Sequence, residues 1–348
     1  MTAKAALIRF TCMSANVRQT LAGPAILCLL SCGHYADFTL PVMMNAPPPT
    51  PVTLTLQPQP ILSPSPNEWD SSDVLNPSVI YHDRQFWNLY SGFDGKVKLW
   101  YTGLAVSPDG VAWTRRGRVL APDPDSWDRG YIAANGSALW RNGEYLYWYE
   151  AGYHDGPMRI GLARSSDGLH FRKEPKPVLD LGPYQSWDER DVADPYVIEV
   201  GGWLYMYYLG QDRASRQRIG VARSRDGISW EKLRTNPVID MAQPGSGGMS
   251  ENGAGEPAVF VWRGHYWMLI TGTDAHQHRS LAAFWSNDGI HWTQQPHSFS
   301  GDQAWDSVVL CDPTVIVTDD AVRVWFGGGD QARPDEGLHG QIGVGTLQ

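Results

Sequence analysis

The sequence predicts an all-β fold, a five-bladed β-propeller whose last blade is closed by an N-terminal strand. Three observations predict it. A piece S-x-D-G-x-x-W/F recurs as Ser107–Trp113, Ser165–Phe171, Ser224–Trp230 and Ser286–Trp292, so the serines are spaced by 58, 59 and 62 residues. A second piece, Trp-Asp, recurs at Trp69-Asp70, Trp127-Asp128, Trp187-Asp188 and Trp305-Asp306. Between them lie short β-branched and aromatic runs bounded by Gly, Asp and Asn, which mark strands. A period near 60 residues with several strands per unit is the pattern of a propeller.

The N-terminal segment reads as an export signal. Lys4, Arg9 and Arg18 precede the apolar run Leu21–Leu30, which is too short to cross a bilayer as a helix. The run ends Leu29-Leu30-Ser31-Cys32-Gly33, which resembles a bacterial lipobox and makes Cys32 the expected lipidation site. Residues 1–32 are thus read as a signal peptide, and the protein as an exported cell-envelope lipoprotein. Residues 33–52 are read as a Pro-rich tether, in a stretch where residues 41–66 carry nine prolines. The propeller domain is 53–348.

Each unit has one internal order. It opens with an x-Pro strand, as at Asn76-Pro77-Ser78-Val79-Ile80 and Asp194-Pro195-Tyr196-Val197-Ile198. An aromatic strand ending near Gly follows, such as Trp203–Gly210. Then comes a strand like Ile219-Gly220-Val221-Ala222-Arg223-Ser224, then the Ser-x-Asp-Gly turn, whose Asp and Gly suit a tight reversal. A last strand ends like Pro237-Val238-Ile239-Asp240. Unit five stops at Leu347 without the turn or the fourth strand. Pro60-Ile61-Leu62 matches Pro177-Val178-Leu179 and Pro237-Val238-Ile239. Residues around 53–62 are therefore expected to supply the missing outer strand and remove an open sheet edge.

Composition narrows the function. Net charge is −9, and no Lys/Arg-rich run occurs. This disfavours nucleic acid or an anionic membrane as partner. The protein is read as a monomer that meets a membrane only through an N-terminal lipid. Cys311 alone lies in the repeat region, so no disulfide forms there. The chain has no HExxH, CxxC, Walker A, Rossmann or G-x-S-x-G pattern. No metal and no cofactor is expected.

Differences among the copies carry the chemistry. The residue that opens each inner strand faces the axis, which puts Asn76, Asn135, Asp194, Glu256 and Asp312 in one ring. Two amides show that the scaffold does not require acids here, yet three consecutive units supply carboxylates. Such clustering raises at least one pKa and serves acid/base chemistry. Asp194, Glu256 and Asp312 are therefore the catalytic candidates. Asn76, Asn135, Asp73, Arg190, Asp191, Trp187 and Tyr196 are the substrate-binding candidates. Asp94, Glu150, Asp212, Asp274 and Asp330 near the ends of the second strands read as structural or rim residues. His154, His276 and His278 sit on the loops just after.

The Asp-Pro-x-Val-Ile strand starts, the Tyr205–Gly210 strand and the run Ile219–Trp230 resemble the five-bladed propeller glycoside hydrolases of families 43, 32, 62, 68, 117 and 130. The resemblance covers roughly residues 53–348. It implies a glycosidase that cleaves oligo- or polysaccharides, furanosides or xylo-oligosaccharides by analogy, with a pair of carboxylates. By resemblance Asp194 is base or nucleophile, Glu256 the general acid and Asp312 the supporting carboxylate. Trp127, Tyr131, Tyr153, Trp187 and Tyr196 are the candidates to stack on sugar faces. The chain departs from family 43 in carrying Asn76 and Asn135 on the first two units. Asn76-Pro77 is similar to the family 130 phosphorylases, although Tyr196 stands where that family has an arginine. The alternatives are a noncatalytic carbohydrate-binding propeller and a family-130-like phosphorylase.

Overall fold

The computed structural model describes residues 35–348 except 45, 155, 244, 247, 319, 320 and 335. The export signal and Cys32 lie outside the described residues. Among the described residues there is no helix, and so none long and apolar enough to cross a membrane.

Two short strands come first, β1 (Tyr35–Ala36) and β2 (Leu54–Leu56). Five strand runs follow. The first holds β3 (Asp73–His82), β4 (Gln85–Asp94), β5 (Leu99–Ser107) and β6 (Thr114–Leu120). The second holds β7 (Ile132–Arg141), β8 (Glu144–Gly152), β9 (Arg159–Ser165) and β10 (Arg172–Lys173). The third holds β11 (Asp191–Val200), β12 (Trp203–Gln211), β13 (Gln217–Ser224) and β14 (Glu231–Leu233). The fourth holds β15 (Gly253–Trp262), β16 (His265–Thr273), β17 (Arg279–Ser286) and β18 (Thr293–Phe299). The last holds β19 (Val309–Val317), β20 (Val322–Gly329) and β21 (Gln341–Leu347). Within each run, consecutive strands pair antiparallel. The first strands β3, β7, β11, β15 and β19 lie side by side, and β19 returns to β3. Ser78 Oγ accepts the Ala138 N–H at 2.7 Å, and Ser137 Oγ accepts the Val197 N–H at 2.9 Å, so hydroxyls link neighbouring first strands.

The edge beyond β21 is taken by the N-terminal segment. β2 pairs antiparallel with β21, Leu54 opposite Leu347, and Leu62 bridges Ile342. Leu179 bridges Ile160 and Ile239 bridges Ile219 in the same way. The three matched Pro-x-Leu/Ile pieces thus occupy equivalent places.

The Trp-Asp pieces are scaffold. Asp70, Asp128 and Asp188 are buried and accept from Tyr90, Tyr149 and Tyr208 at 3.0, 3.1 and 3.1 Å. Each also faces a cation, Arg115, Lys173 or Lys232. The tryptophan before it lies on glycines that leave room for its ring: Trp69 on Gly92 and Gly103, Trp187 on Gly210 and Gly220.

The tether reading of 33–52 is corrected. Tyr35 pairs with Lys232 in a parallel bridge. Leu40 is buried and donates its N–H to Asp288 O at 2.9 Å, and Met43 donates to Asn287 O. Tyr266 Oη donates to Pro41 O at 2.7 Å. The segment lays Phe38, Leu40 and Met43 against the core of the third and fourth runs, and burying these apolar side chains holds it there.

Candidate active site

Every first strand is interrupted at the same place. The pairing register shifts between Leu75 and Ser78, Ala134 and Ser137, Ala193 and Tyr196, Gly255 and Ala258, and Cys311 and Thr314. The ring residue sits in each bulge with positive φ: Asn76 46°, Asn135 48°, Asp194 44°, Glu256 51° and Asp312 52°. Bulges re-aim side chains, and these five line one cavity of about 420 Å³. Asn and Asp tolerate the left-handed conformation better than other side-chain-bearing residues. Glu256 is the exception, and a longer acid held there against backbone preference points to a task.

The polar contacts join neighbouring runs. Asn76 Nδ2 donates to Asp312 Oδ1 at 2.6 Å. The Asp312 N–H lies 3.1 Å from both Glu256 Oε2 and Thr271 Oγ1. Arg279 Nη1 lies 3.9 Å from Glu256 Oε1, and its Nη2 donates to Pro334 O. Cys311 is buried with Sγ 3.0 Å from Asp312 Oδ2. Asn135 Nδ2 donates to Glu150 Oε2 at 3.3 Å. Both amides of the ring therefore hand an N–H to a carboxyl.

Burial pushes the Asp194 carboxyl well above its usual range, and the charges of Glu150 and Glu256 push it further, with Arg279 opposing. Asp312 is raised in the same way, by burial and then by Glu256 and Asp194. Glu150 is pushed up to about 8, first by burial and then by Asp191. For Arg279, burial opposes the charge but Glu256, Cys311 and Asp312 outweigh it and hold the guanidinium protonated. Glu256, Cys311 and Asp312 place potential metal-ligand atoms within 4.8 Å of one another. Their oxygens already accept from Asn76, Cys311 and the Asp312 N–H, and the adjacent Arg279 cation opposes a metal ion, so we assign none.

The structure brings together Asp194, Glu256, Asp312, Asn76, Asn135, Arg190 and Asp191 around the cavity. Arg190 Nε pairs with Asp191 Oδ2 at 3.3 Å, while Asp191 Oδ1 accepts the Met158 N–H. Three expected binding residues are corrected. Asp73 is fully buried, and its two oxygens accept the N–H groups of Gly337 and Gly340 at 2.7 Å. It ties the first run to the last and has no room for substrate. Trp187 packs on Gly210, Gly220 and Tyr208, away from the cavity. Tyr196 lies below the ring, lining a smaller axial void of about 30 Å³, where its hydroxyl meets Thr314. Of the stacking candidates, Tyr131 lines the cavity, beside Trp100 and His154. Its hydroxyl accepts from Trp100 Nε1 at 2.9 Å and donates to Glu336 at 2.7 Å.

Arg279 and Glu150 are the site residues that repeat comparison missed. Glu150 resembles Asp94, Asp212, Asp274 and Asp330 in lying near the end of its second strand, but the pairing sets it three residues earlier. It pairs with Ala134, as Ser91 pairs with Leu75, Leu209 with Ala193, Thr271 with Gly255 and Gly327 with Cys311. The signal that would find it is its distance from the ring residue along the hairpin, not its likeness to nearby acids.

The geometry is a cavity in which acids from neighbouring runs, their proton affinity raised by burial, lie beside a carboxylate paired with Arg279, the equipment for general acid/base chemistry. An uncharacterized protein of Mycobacterium tuberculosis is similar to this chain, 27% identical over 233 residues, 62% of this chain and 75% of that protein. A 1,2-beta-oligomannan phosphorylase of Thermoanaerobacter is 33% identical over 132 residues, 35% of this chain and 43% of its own. Among solved structures, a glycosyl hydrolase from Bacteroides ovatus superposes with a TM-score of 0.68 at 16% identity, covering 87% of this chain and 95% of that one, which speaks for a shared propeller fold. The family description "Glycosyl hydrolases family 32 N-terminal domain" matches residues 80–321. The chain therefore belongs to the glycosyl hydrolase family 32 N-terminal domain family.

Proposed function

We propose that this protein is a glycoside hydrolase that cleaves a glycosidic bond of an oligo- or polysaccharide in the 420 Å³ cavity. The observation that carries the reading is the convergence of Asp194, Glu256 and Asp312, from three consecutive runs, on that one cavity. The environments divide the labour. Asp194, whose hold on its proton is strengthened by burial and by the neighbouring Glu150 and Glu256, has the leaving oxygen as its target. Glu256, facing Arg279, is the carboxylate that attacks the sugar or activates water. Asp312 holds Glu256 through its N–H and orients Asn76. This reverses the acid and base roles that the family resemblance implies.

The same reading takes the five strand runs as five blades, with β2 and Leu62 completing the fifth, and the N-terminal apolar run as an export signal. Hydrolysis is favoured over phosphorolysis because the cavity's two arginines, Arg190 and Arg279, are each committed to a carboxylate. The test is a screen of aryl glycosides and polysaccharides with and without phosphate. Asp194→Asn and Glu256→Gln are expected to lower kcat by about 10²–10⁴-fold with the unfolding temperature preserved. Full activity in both variants refutes the site. Phosphate-dependent release of a sugar phosphate marks a phosphorylase, and binding without any product marks a noncatalytic propeller.

A further inference from the structure

One position of each second strand has a fixed structural duty, and Glu150 exceeds it. The residue paired opposite the one before the bulge supports the ring residue of the next run. Ser91 Oγ accepts the Asn135 N–H at 3.0 Å. Thr271 Oγ1 accepts the Asp312 N–H at 3.1 Å. Glu150 takes the equivalent place, opposite Ala134, and lines the same cavity as Asp194. Two copies show that a hydroxyl performs this duty, and the copies Leu209 and Gly327 show that the fold tolerates its loss. A carboxyl at Glu150 is thus not demanded by the scaffold. It is buried, it meets the Asp194 carboxyl side chain to side chain, and its Oε2 accepts from Asn135 Nδ2 at 3.3 Å.

We infer that Glu150 is the positioning residue that keeps Asp194 loaded with a proton, the two carboxyls sharing a hydrogen bond. The inference rests on the reading of Asp194 as proton donor. Both groups are raised, by burial first, and Glu150 is among the causes that raise Asp194. The other groups that bear on the pair are Asp191 from β11, Glu256 from β15, Arg279 from β17 and Asp312 from β19, with Tyr147 on β8 itself. In the hydrolytic step the Asp194 O–H bond breaks and a new O–H bond forms on the leaving oxygen as its bond to the anomeric carbon breaks. The anomeric carbon forms its new bond to the oxygen of a water that Glu256 activates, the water's proton passes to Glu256, and its return through solvent reloads the pair when product leaves.

Glu150→Gln removes the charge and keeps the size, and Glu150→Thr installs the hydroxyl that serves at Thr271. Both are expected to fold, to leave KM unchanged, and to move the alkaline limb of kcat/KM to lower pH by about one unit or more, with kcat down about tenfold near pH 8. A second readout needs no substrate. Infrared titration from about pH 5 to about pH 10 follows protonated carboxyls in the wild type, Asp194→Asn and Glu150→Gln. Each substitution is expected to remove one carboxyl and to lower the midpoint of the other. An alkaline limb and an Asp194 band that stay in place in Glu150→Gln, with Asp194→Asn inactive, overturn the inference and leave the hydrolase reading standing. Full activity of Asp194→Asn removes that reading, and with it Glu150's part in proton delivery.

Discussion

Asn76, Asn135, Asp194, Glu256 and Asp312 share one backbone state, and their side chains divide into donors and acids. The two amides are not vestiges in this arrangement. Each gives an N–H to a carboxyl that sits among other acids. The accumulated acidity has a consequence for stability. Burial pushes Glu150 up to about 8 in the folded chain against 4.5 for the free group, so the folded state binds its proton more tightly than the unfolded state. Its stabilising contribution is complete below about pH 4.5 and is lost as pH rises through 8. Asp109, held down to about 2 by the backbone N–H groups of Ala112 and Val111, acts in the opposite window and loses its contribution only as pH falls toward 2. The urea midpoint is therefore expected to decline between about pH 5 and about pH 8, with the slope flattened in Glu150→Gln. A midpoint that rises over that range contradicts the burial of these acids.

The Ser-x-Asp-Gly turn is an element that works twice. Within the turn, Asp226 Oδ1 accepts the N–H groups of Ile228 and Ser229 at 2.8 Å, and Ser224 Oγ accepts that of Gly227 at 2.9 Å. Between runs, the Gly227 carbonyl accepts from Trp148 Nε1 at 2.9 Å, and the Gly110 carbonyl from Trp325 Nε1 at 2.8 Å. The turn of one run thus pins the second strand of the run before it. Gly227 has φ 77°, and a Cβ there would lie 2.8 Å from Trp148 Cζ2. Gly227→Ala is expected to cost about 1–3 kcal/mol in chemical denaturation, from the left-handed backbone and the clash together. The repeat made this turn legible from sequence because each copy repeats the same local hydrogen bonds. The strap 35–52 was not legible. Its prolines signal extended chain, but whether extended chain floats or docks depends on a groove that other elements build.

At the scale of the whole molecule, the N-terminal segment and the C-terminal strand meet. β2 and Leu62 satisfy β21 on the side that would otherwise be open. The closure we propose predicts that deleting 53–62 sharply lowers the unfolding temperature, and an unchanged temperature in thermal denaturation sinks it. The sequence by itself determined the all-β repeat, the turn chemistry, the matching of Pro60-Ile61-Leu62 to the outer strand pieces and the ring of residues at the strand starts. These are local or periodic properties, and a period places equivalent residues without reference to distant partners. Only the tertiary structure decided what each ring residue faces. It put Arg279 beside Glu256 and Glu150 beside Asp194, and it withdrew Asp73, Trp187 and Tyr196 from the cavity. Those outcomes depend on strand register and on contacts between neighbouring runs, where a shift of three residues along one hairpin separates a turn acid from an acid in the site.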